Sequence, residues 1–375
     1  MNVVEKLHSL GQSIWYDNIE HRTLINGELK AMISRGDIRG VTSNPSIFNN
    51  AIAKSNDYDE MLIPLAQQGL TKIEIYEALA VADIQAACDL FRPLYDQTKG
   101  ADGYVSLEVN PYLARDTDGT CQEAARLWAW VDRPNLMIKI PATVEGLPAV
   151  TRTIAAGINV NVTLIFSIER YKAVMEAYLQ GLEQRLDAGH SIDSIASVAS
   201  FFISRIDSEI DNRLSAIVNA GNNTAEQAKD LQGKIAVANA KLAYAVHKQV
   251  FQGERWNKLH DQGGSIQRAL WASTSTKNAA YPDTKYVDEL IGPDTVNTIP
   301  PKTLDNFRDH GTAVLTLSTG LTAAQRVMDD LADLEISMSE VTQKLEDKGV
   351  QSFADAFTAL LDSVEKRCVT ATKEL

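Results

Sequence analysis

The strongest constraint on the fold is a regular alternation of short apolar runs with longer segments of helical periodicity. Between most runs, apolar residues recur at i, i+3, i+4 and i+7, as in the segment 171–182. The runs are SIWYDN near residue 15, GVTSNP from Gly40, YVSLEV from Tyr104, LMIKI from Leu136, NVNVTLIF from Asn159, SVASFF from Ser197, RALWAS from Arg268 and TVNTIP from Thr295. This alternation is typical of right-handed βαβ units, and about eight strands predict a closed α/β barrel, the (β/α)8 or TIM barrel. An open doubly wound sheet is the competing architecture, but no G-x-G-x-x-G follows any run.

The chain of 375 residues is expected to form one domain, 1–375, without a Pro/Ser-rich linker. A barrel commonly needs about 250 residues, which leaves room for helical additions. Residues 209 to 250 are predicted to be helical with one break at NAGNN, 219 to 223. A helical C-terminal extension is predicted from about 322 to 375, broken near Lys348 and Gly349. Its apolar face, expected to pack on the barrel, consists of Phe353, Phe357, Leu360, Leu361 and Val364.

Charge and composition exclude several classes of partner. The chain carries 36 Lys+Arg against 49 Asp+Glu, a net charge of −13, and has no dense basic stripe, which argues against nucleic acid. A small anionic substrate remains compatible, because it needs only two or three local cations. No uncharged apolar stretch reaches the roughly 18 residues of a membrane span, so no membrane association is predicted.

The cysteines and the N-terminus predict a cytoplasmic protein. The 3 cysteines are spread along the chain without a CxxC or a zinc-ligand spacing, so reduced thiols and no metal site are expected. The N-terminus reaches Glu5 and Lys6 before any apolar run, unlike a signal peptide. The 6 histidines are dispersed and lie outside the strand runs, and neither a P-loop, an H-E-x-x-H nor a G-x-S-x-G motif occurs.

Polar residues inside the strand runs are the candidates for chemistry. Strands of a parallel barrel are buried on both faces, and an unpaired buried charge is costly. Lys139 in LMIKI is the clearest case, and Glu108 and Asp17 follow it. The uncharged members of this group are Thr42, Ser43, Asn44, Asn159, Asn161 and Thr163. We expect these side chains toward the carboxyl ends of the strands, where barrel active sites are built.

A lysine in such a strand can act as a nucleophile. Burial among apolar side chains favours a neutral amine, which attacks a carbonyl and forms a Schiff base. The iminium is an electron sink, so an adjacent C–C bond can break without a metal or cofactor. Glu108 and Asp17 are the carboxyl groups available as proton shuttles. The alternative is structural: Lys139 snorkels to solvent at a strand mouth or forms a plain ion pair with Glu108.

Two segments resemble the signatures of the transaldolase family. GVTSNPSIF at 40 to 48 resembles the first, and LMIKIPATVEGLPA at 136 to 149 is similar to the second, built around a Schiff-base lysine. The resemblance extends to GINVNVTLIFS, SFFISRID and WASTSTKN. It implies a class I aldolase-type barrel that transfers a dihydroxyacetone unit in the non-oxidative pentose phosphate pathway. Donors would be sedoheptulose 7-phosphate or fructose 6-phosphate, and acceptors glyceraldehyde 3-phosphate or erythrose 4-phosphate.

The resemblance also implies the catalytic roles. Lys139 aligns with the lysine that forms the imine with the ketose carbonyl. Glu108 and Thr163 would hold and activate the water that shuttles protons during imine formation and hydrolysis. Asp17 would take the proton of the C4 hydroxyl as the C3–C4 bond breaks. No cofactor or metal is implied.

The same matching implies the binding roles of the remaining candidates. Asn44 and Asn161 would bind the carbinolamine and sugar hydroxyls, with Thr42 supporting them. Ser200 would contact the C1 hydroxyl of the substrate.

Arg205 falls on the family's phosphate-binding arginine, whereas Lys277 stands where the family often has another arginine. A lysine lacks the bidentate fork of arginine, so we expect the phosphate to be held less tightly there. The segment SFFISRID also lacks the Pro-Phe-x-Gly motif that is common in the family. An enzyme for anionic sugars should gather Lys139, Arg205 and Lys277 at one mouth of the barrel and leave its acidic residues on the outer helices.

Two other functions remain open from the sequence. A fructose 6-phosphate aldolase would share the lysine but release the triose unit instead of transferring it. A non-catalytic barrel would bind sugar phosphates, or a partner protein through the C-terminal helices. The expected partners are small sugar phosphates, and the pattern leaves monomer and homodimer both open.

Overall fold

The computed structural model describes residues 2–221 and 223–371 and contains a closed barrel of eight parallel strands. Each strand pairs with the next along the chain, and the last pairs with the first. The strands are β1 (Gln12–Tyr16), β2 (Gly40–Val41), β3 (Tyr104–Glu108), β4 (Leu136–Pro141), β5 (Val160–Ile165), β6 (Ser197–Phe202), β7 (Arg268–Ala272) and β8 (Thr295–Ile299). Each predicted run overlaps one of these strands, and the predicted TIM barrel is confirmed.

Helices surround the barrel and continue beyond its last strand. Up to β5 they are α1 (Val3–Ser9), α2 (His21–Ile25), α3 (Glu28–Ser34), α4 (Pro45–Lys54), α5 (Asp59–Gln67), α6 (Lys72–Gln97), α7 (Thr117–Val131) and α8 (Gly146–Ala155). The later helices are α9 (Ile168–Asp187), α10 (Ser204–Ala220), α11 (Ala225–Leu231), α12 (Ile235–Val250), α13 (Glu254–Asp261), α14 (Lys285–Asp288), α15 (Pro301–His310), α16 (Leu321–Asp333) and α17 (Met338–Ala371). A short 3-10 helix, Pro111–Leu113, follows β3. None of the described helices is both long and apolar enough to cross a membrane.

The strand register brings the polar residues of three neighbouring strands together. Glu108 of β3 is paired with Lys139 of β4, and Lys139 is paired with Asn161 of β5. Residues paired across parallel strands share one level of the barrel and point to the same face. The sequence pattern thus places a carboxyl, an amine and an amide side by side.

The end of β5 is irregular. Its register against β6 shifts between Val162 and Ile165, and Leu164 has a left-handed φ of 61°. A residue with a side chain rarely adopts this conformation, and such bulges re-aim neighbouring side chains near active sites. Thr163, a predicted site residue, lies immediately before this point.

The prediction of a single break between 209 and 250 is wrong. The first break follows α10, where Gly221 ends the helix with a left-handed φ of 64°; Asn222 of NAGNN lies outside the described residues. A second break separates α11 from α12, where Gly233 has a φ of 70°. A Cβ at Gly233 would stand 2.6 Å from the ring of Tyr281, so both backbone and packing require glycine there.

The predicted break near Lys348 and Gly349 is also wrong. α17 runs through both residues without interruption, and the actual break lies between α16 and α17, where Glu335 has a φ of 58°. Gly349 instead permits close packing, because a Cβ there would lie 2.9 Å from Cδ2 of Leu164. The predicted apolar face is confirmed: Phe353, Phe357, Leu360 and Val364 are buried and Leu361 is partly buried. The predicted helical residues 372 to 375 lie outside the described part of the chain.

Candidate active site

A cavity of about 270 Å³ lies at the carboxyl ends of the strands. Most of the predicted site residues line it: Asp17, Thr42, Asn44, Lys139, Thr163, Ser200, Arg205 and Lys277. Glu108 and Asn161 lie behind this lining, each in contact with a residue that belongs to it. The barrel therefore collects side chains from distant parts of the chain into one concave site, as expected for this fold.

Lys139 is held inside the barrel and does not snorkel to solvent. The residue is only 5% exposed, and Nζ donates a hydrogen bond to the carbonyl oxygen of Ser43 at 3.2 Å. Nζ also lies 3.5 Å from Oε2 of Glu108, within ion-pair distance but longer than a strong hydrogen bond. The amine is therefore placed at the floor of the cavity with few polar partners.

The Glu108 carboxyl can change its protonation state near neutral pH. Burial raises its pKa to about 7, while the nearby Lys139 opposes the rise. Both carboxyl oxygens and the Thr163 hydroxyl are buried without a hydrogen-bond partner among the described residues. Buried polar groups are usually bonded, so these atoms are suited to bind polar atoms of a ligand or water. A carboxyl with a pKa near 7 can give and take protons at the pH of a cell.

Asp17 belongs to a short chain of hydroxyl contacts. Thr42 Oγ1 donates to Asp17 Oδ1 at 2.7 Å and lies 2.6 Å from Thr298 Oγ1. A hydroxyl has one hydrogen, so when Thr42 donates to Asp17 it accepts from Thr298. Burial raises the pKa of Asp17, and the hydrogen bond from Thr42 and the charge of Lys139 oppose this rise. The contacts fix the Asp17 carboxyl at the carboxyl end of β1, beside the cavity.

The side-chain amide of Asn44 caps a helix with its oxygen and faces the cavity with its nitrogen. Its side-chain oxygen accepts a hydrogen bond from the backbone of Ile47 at 3.1 Å and caps α4, while Pro45 occupies the first helical position. Asn44 therefore also ends the loop between β2 and α4. The amide nitrogen of Asn44 keeps its donors for the cavity that the residue lines.

Asn161 contacts protein groups on both sides of its amide. Ser200 Oγ donates to Asn161 Oδ1 at 2.6 Å, and Asn161 Nδ2 donates to Ser106 Oγ at 3.0 Å. The amide is fully buried below the cavity lining. The geometry therefore orients Ser200, whose hydroxyl oxygen remains able to accept a hydrogen bond from a ligand.

Two cations lie on one side of the cavity. Arg205 is the second residue of α10 and lies over Phe202, with Cζ 5.1 Å from the ring centroid. Lys277 lies in the loop after β7, and its Nζ donates to Ser275 Oγ at 2.6 Å. Burial lowers the pKa of both groups, and the charge of Arg205 lowers that of Lys277 further. Neither side chain forms an ion pair among the described residues, although the charge of Asp17 acts on both, so an anion between them would be stabilised.

Sequence reasoning missed three parts of the site. Thr298, which supports Thr42, stands at the polar end of a predicted strand, so the signal used for the other strands would have found it. Phe202 was missed because it is apolar, and an apolar residue in a strand run predicts only core packing. Ser352 and Phe353 line the cavity from α17, and their pattern indicates only a packing face.

Comparison with known proteins identifies one family over nearly the whole chain. The family described as transaldolase/fructose-6-phosphate aldolase matches residues 14–364. A transaldolase of Trichodesmium erythraeum (strain IMS101) is 48% identical over 370 residues, 98% of this chain and 97% of that protein. The chain belongs to the transaldolase/fructose-6-phosphate aldolase family. Its members include a transaldolase of Thermobifida fusca (strain YX), 49% identical over 98% of this chain and 99% of its own. The resemblance predicted from the two signatures is thereby confirmed.

A third relative supports the same assignment. Transaldolase 1 of Streptomyces avermitilis is 50% identical over 369 residues, 97% of this chain and 96% of that protein. The similarity covers nearly the full length of each relative, so the C-terminal helices of this chain fall within the matched length.

Proposed function

We propose that this chain is a transaldolase that moves a dihydroxyacetone unit between sugar phosphates through a Schiff base on Lys139. The family membership and the relatives named transaldolase support the activity. The observation that carries the mechanism is the buried Lys139 amine, 3.5 Å from the Glu108 carboxyl at the floor of a cavity with two unpaired cations. An amine, a proton shuttle and an anion anchor are the parts that this reaction needs.

The reaction begins with imine formation. Lys139 Nζ attacks C2 of the ketose phosphate, and the carbonyl oxygen takes up a proton to give a carbinolamine. Glu108, with a pKa of about 7, then supplies a proton to the C2 hydroxyl, which leaves as water while nitrogen and carbon form the iminium. Thr163, whose hydroxyl is buried beside this region, holds the departing water.

Carbon–carbon cleavage follows from the electron sink. Asp17 removes the proton of the C4 hydroxyl, the C3–C4 bond breaks, and its electron pair moves into the iminium to form an enamine. The C4 fragment leaves as an aldose phosphate. A second aldose phosphate then enters, the enamine attacks its carbonyl carbon, and the steps reverse to release the new ketose and Lys139.

Substrate binding is divided between the two ends of the sugar. The Ser200 hydroxyl, oriented by Asn161, receives the C1 hydroxyl, and the Asn44 amide binds the sugar hydroxyls. Thr42 supports these contacts by fixing Asp17. Arg205 and Lys277 hold the phosphate at the far side of the cavity, without a metal or cofactor.

The cellular setting follows from this chemistry. Sugar phosphates of the non-oxidative pentose phosphate pathway are charged and stay within the cell that makes them, which supports a cytoplasmic location. We further propose that residues 1–375 act as a single domain, because the helices after β8 contribute to the cavity lining. The protein acts as a monomer or a homodimer.

A product assay distinguishes the candidate functions. Purified protein is incubated with fructose 6-phosphate and erythrose 4-phosphate, and the products are followed by mass spectrometry. A transaldolase forms sedoheptulose 7-phosphate and glyceraldehyde 3-phosphate in equal amounts. Free dihydroxyacetone in equal amount to glyceraldehyde 3-phosphate would identify an aldolase instead. Absence of any product would favour the third candidate, a non-catalytic barrel.

A further inference from the structure

α17 crosses the carboxyl end of the barrel, next to the cavity. Ion pairs attach it to segments that follow different strands, and each joins a side chain of α17 to a side chain of the barrel. These pairs are Asp347 with Arg115 at 2.7 Å, Glu346 with Arg170 at 3.1 Å, and Glu365 with Lys72 at 2.9 Å. Attachment from several sides fixes the helix over the mouth of the barrel.

The middle of α17 rests directly on β5. Gly349 faces Leu164 so closely that a Cβ would lie 2.9 Å from Cδ2 of that leucine. Leu164 is the residue with the left-handed φ that follows Thr163. The helix is therefore seated on the irregular strand end that carries a residue of the proposed site.

Four residues further along α17, Phe353 reaches the reactive amine. Its ring centroid lies 5.5 Å from Nζ of Lys139, and the side chain lines the cavity. The residue is 7% exposed. An aromatic face attracts a cation at this distance and occupies space that water would otherwise fill. Phe353 therefore covers the nitrogen on which the iminium and the enamine form.

We propose that Phe353 is a positioning residue that shields the lysine-bound enamine from water and so favours transfer over release. This inference rests on the proposed Schiff-base function. Release requires water: a proton from solvent adds to C3 of the enamine, the oxygen of water adds to C2, and the C2–N bond breaks. The products are free dihydroxyacetone and the neutral lysine, with one water consumed. A phenyl ring over the nitrogen slows this route, while an aldehyde acceptor enters through the open side of the cavity.

The test compares two fates of the same intermediate. Wild type, Phe353→Ala and Phe353→Leu are incubated with fructose 6-phosphate and erythrose 4-phosphate. Free dihydroxyacetone and sedoheptulose 7-phosphate are measured by nuclear magnetic resonance. We expect the ratio of the first product to the second to rise at least fivefold in Phe353→Ala and by less in Phe353→Leu, which keeps most of the volume. A residue that only stabilises the helix would lower both products together and leave the ratio unchanged.

Leu360→Ala is the matched control. Leu360 is fully buried on the same helix but does not line the cavity, so its loss weakens packing without uncovering Lys139. The proposal is overturned if Phe353→Ala and Phe353→Leu keep the wild-type ratio, or if Leu360→Ala raises it equally. Absence of both products in wild type would instead overturn the proposed function, and the inference with it.

Discussion

At the residue scale, the chemistry depends on how little Lys139 and its neighbours are solvated. Among the described residues, Lys139 has one hydrogen bond, to a carbonyl oxygen, and one carboxyl at 3.5 Å. Burial raises the pKa of both Glu108 and Asp17. These carboxyl groups differ in their surroundings, because Asp17 receives a hydrogen bond and Glu108 receives none from the described residues. This difference supports the proposed roles, in which Asp17 removes a proton from the substrate and Glu108 exchanges protons near neutral pH.

The proposed phosphate anchor can be tested at Arg205. Arg205→Ala removes a charged hydrogen-bond donor, and such a bond contributes roughly 1.5–3 kcal/mol, which corresponds to a rise of about 10-fold to 100-fold in KM. We expect this rise for erythrose 4-phosphate, with a smaller effect for glyceraldehyde, which carries no phosphate. Steady-state kinetics with both acceptors measures it. Arg213→Ala, on the same helix but paired with Glu209 and Glu340, is the control and should leave both KM values unchanged. An equal rise in KM for both acceptors would show that Arg205 does not bind the phosphate.

At the element scale, a buried carboxyl joins three of the helices around β7. Asp207 of α10 accepts hydrogen bonds from the backbone nitrogen of Ala236 at 2.7 Å and from the hydroxyl of Tyr286 at 2.7 Å. It thus joins α10 to α12 and α14. Burial raises the pKa of Asp207 from 3.8 to about 6, despite these bonds.

Asp207 should therefore make the free energy of unfolding depend on pH. As pH rises through the interval from 3.8 to about 6, the unfolded chain loses this proton before the folded protein does, so stability is lost. Asp207→Asn cannot ionise and escapes this loss. We expect its stability relative to wild type to be greater at pH 8 than at pH 4, by about 2 kcal/mol. Urea unfolding at both pH values measures this difference. Asp355→Asn, an exposed change on α17, is the control, and its difference in free energy of unfolding from wild type should be the same at both pH values. The same difference at both pH values for Asp207→Asn would show that this carboxyl does not make stability depend on pH.

Prediction from sequence succeeds where one local pattern decides the outcome and fails where a distant contact does. The strands and most of the site follow from apolar runs with polar ends, because a barrel brings all strand ends together. Gly349 shows the limit: glycine in a helical segment indicates a break, whereas here it permits contact with Leu164, far away in the chain. Phe353 is similar, since an apolar side chain gives the same pattern whether it faces core or a reactive amine. Gly233 was missed because its partner, Tyr281, is also distant.

At the scale of the whole molecule, the two ends of the barrel differ in their charges and contacts. Lys139, Arg205 and Lys277 line one cavity in a chain with a net charge of −13. At the opposite end, buried Asp102 accepts hydrogen bonds from Ser13 at 2.7 Å and Arg268 at 3.0 Å. The second end closes the barrel by linking β1, β7 and the turn before β3, and we expect it to contribute to stability alone.

Arg268→Ala tests this division. The change leaves a buried carboxylate with fewer donors, so we expect unfolding to become easier by about 3 kcal/mol. The value of kcat/KM at temperatures well below unfolding should stay at the wild-type level. Arg92→Ala, which removes an exposed ion pair with Asp96, should cost less than about 1 kcal/mol. Urea denaturation measures the loss of stability, and steady-state kinetics measures activity. A large loss of kcat/KM in folded Arg268→Ala would show that this end of the barrel also contributes to activity.

Reductive trapping shows whether Lys139 forms the Schiff base with the ketose substrate. The protein is incubated with fructose 6-phosphate, reduced with sodium borohydride, digested and analysed by mass spectrometry. We expect a dihydroxyacetone-derived adduct on the peptide that contains Lys139, absent in Lys139→Arg and retained in Lys172→Arg, which changes an exposed lysine. An adduct on another lysine, or full transfer activity in Lys139→Arg, would show that Lys139 does not form the Schiff base.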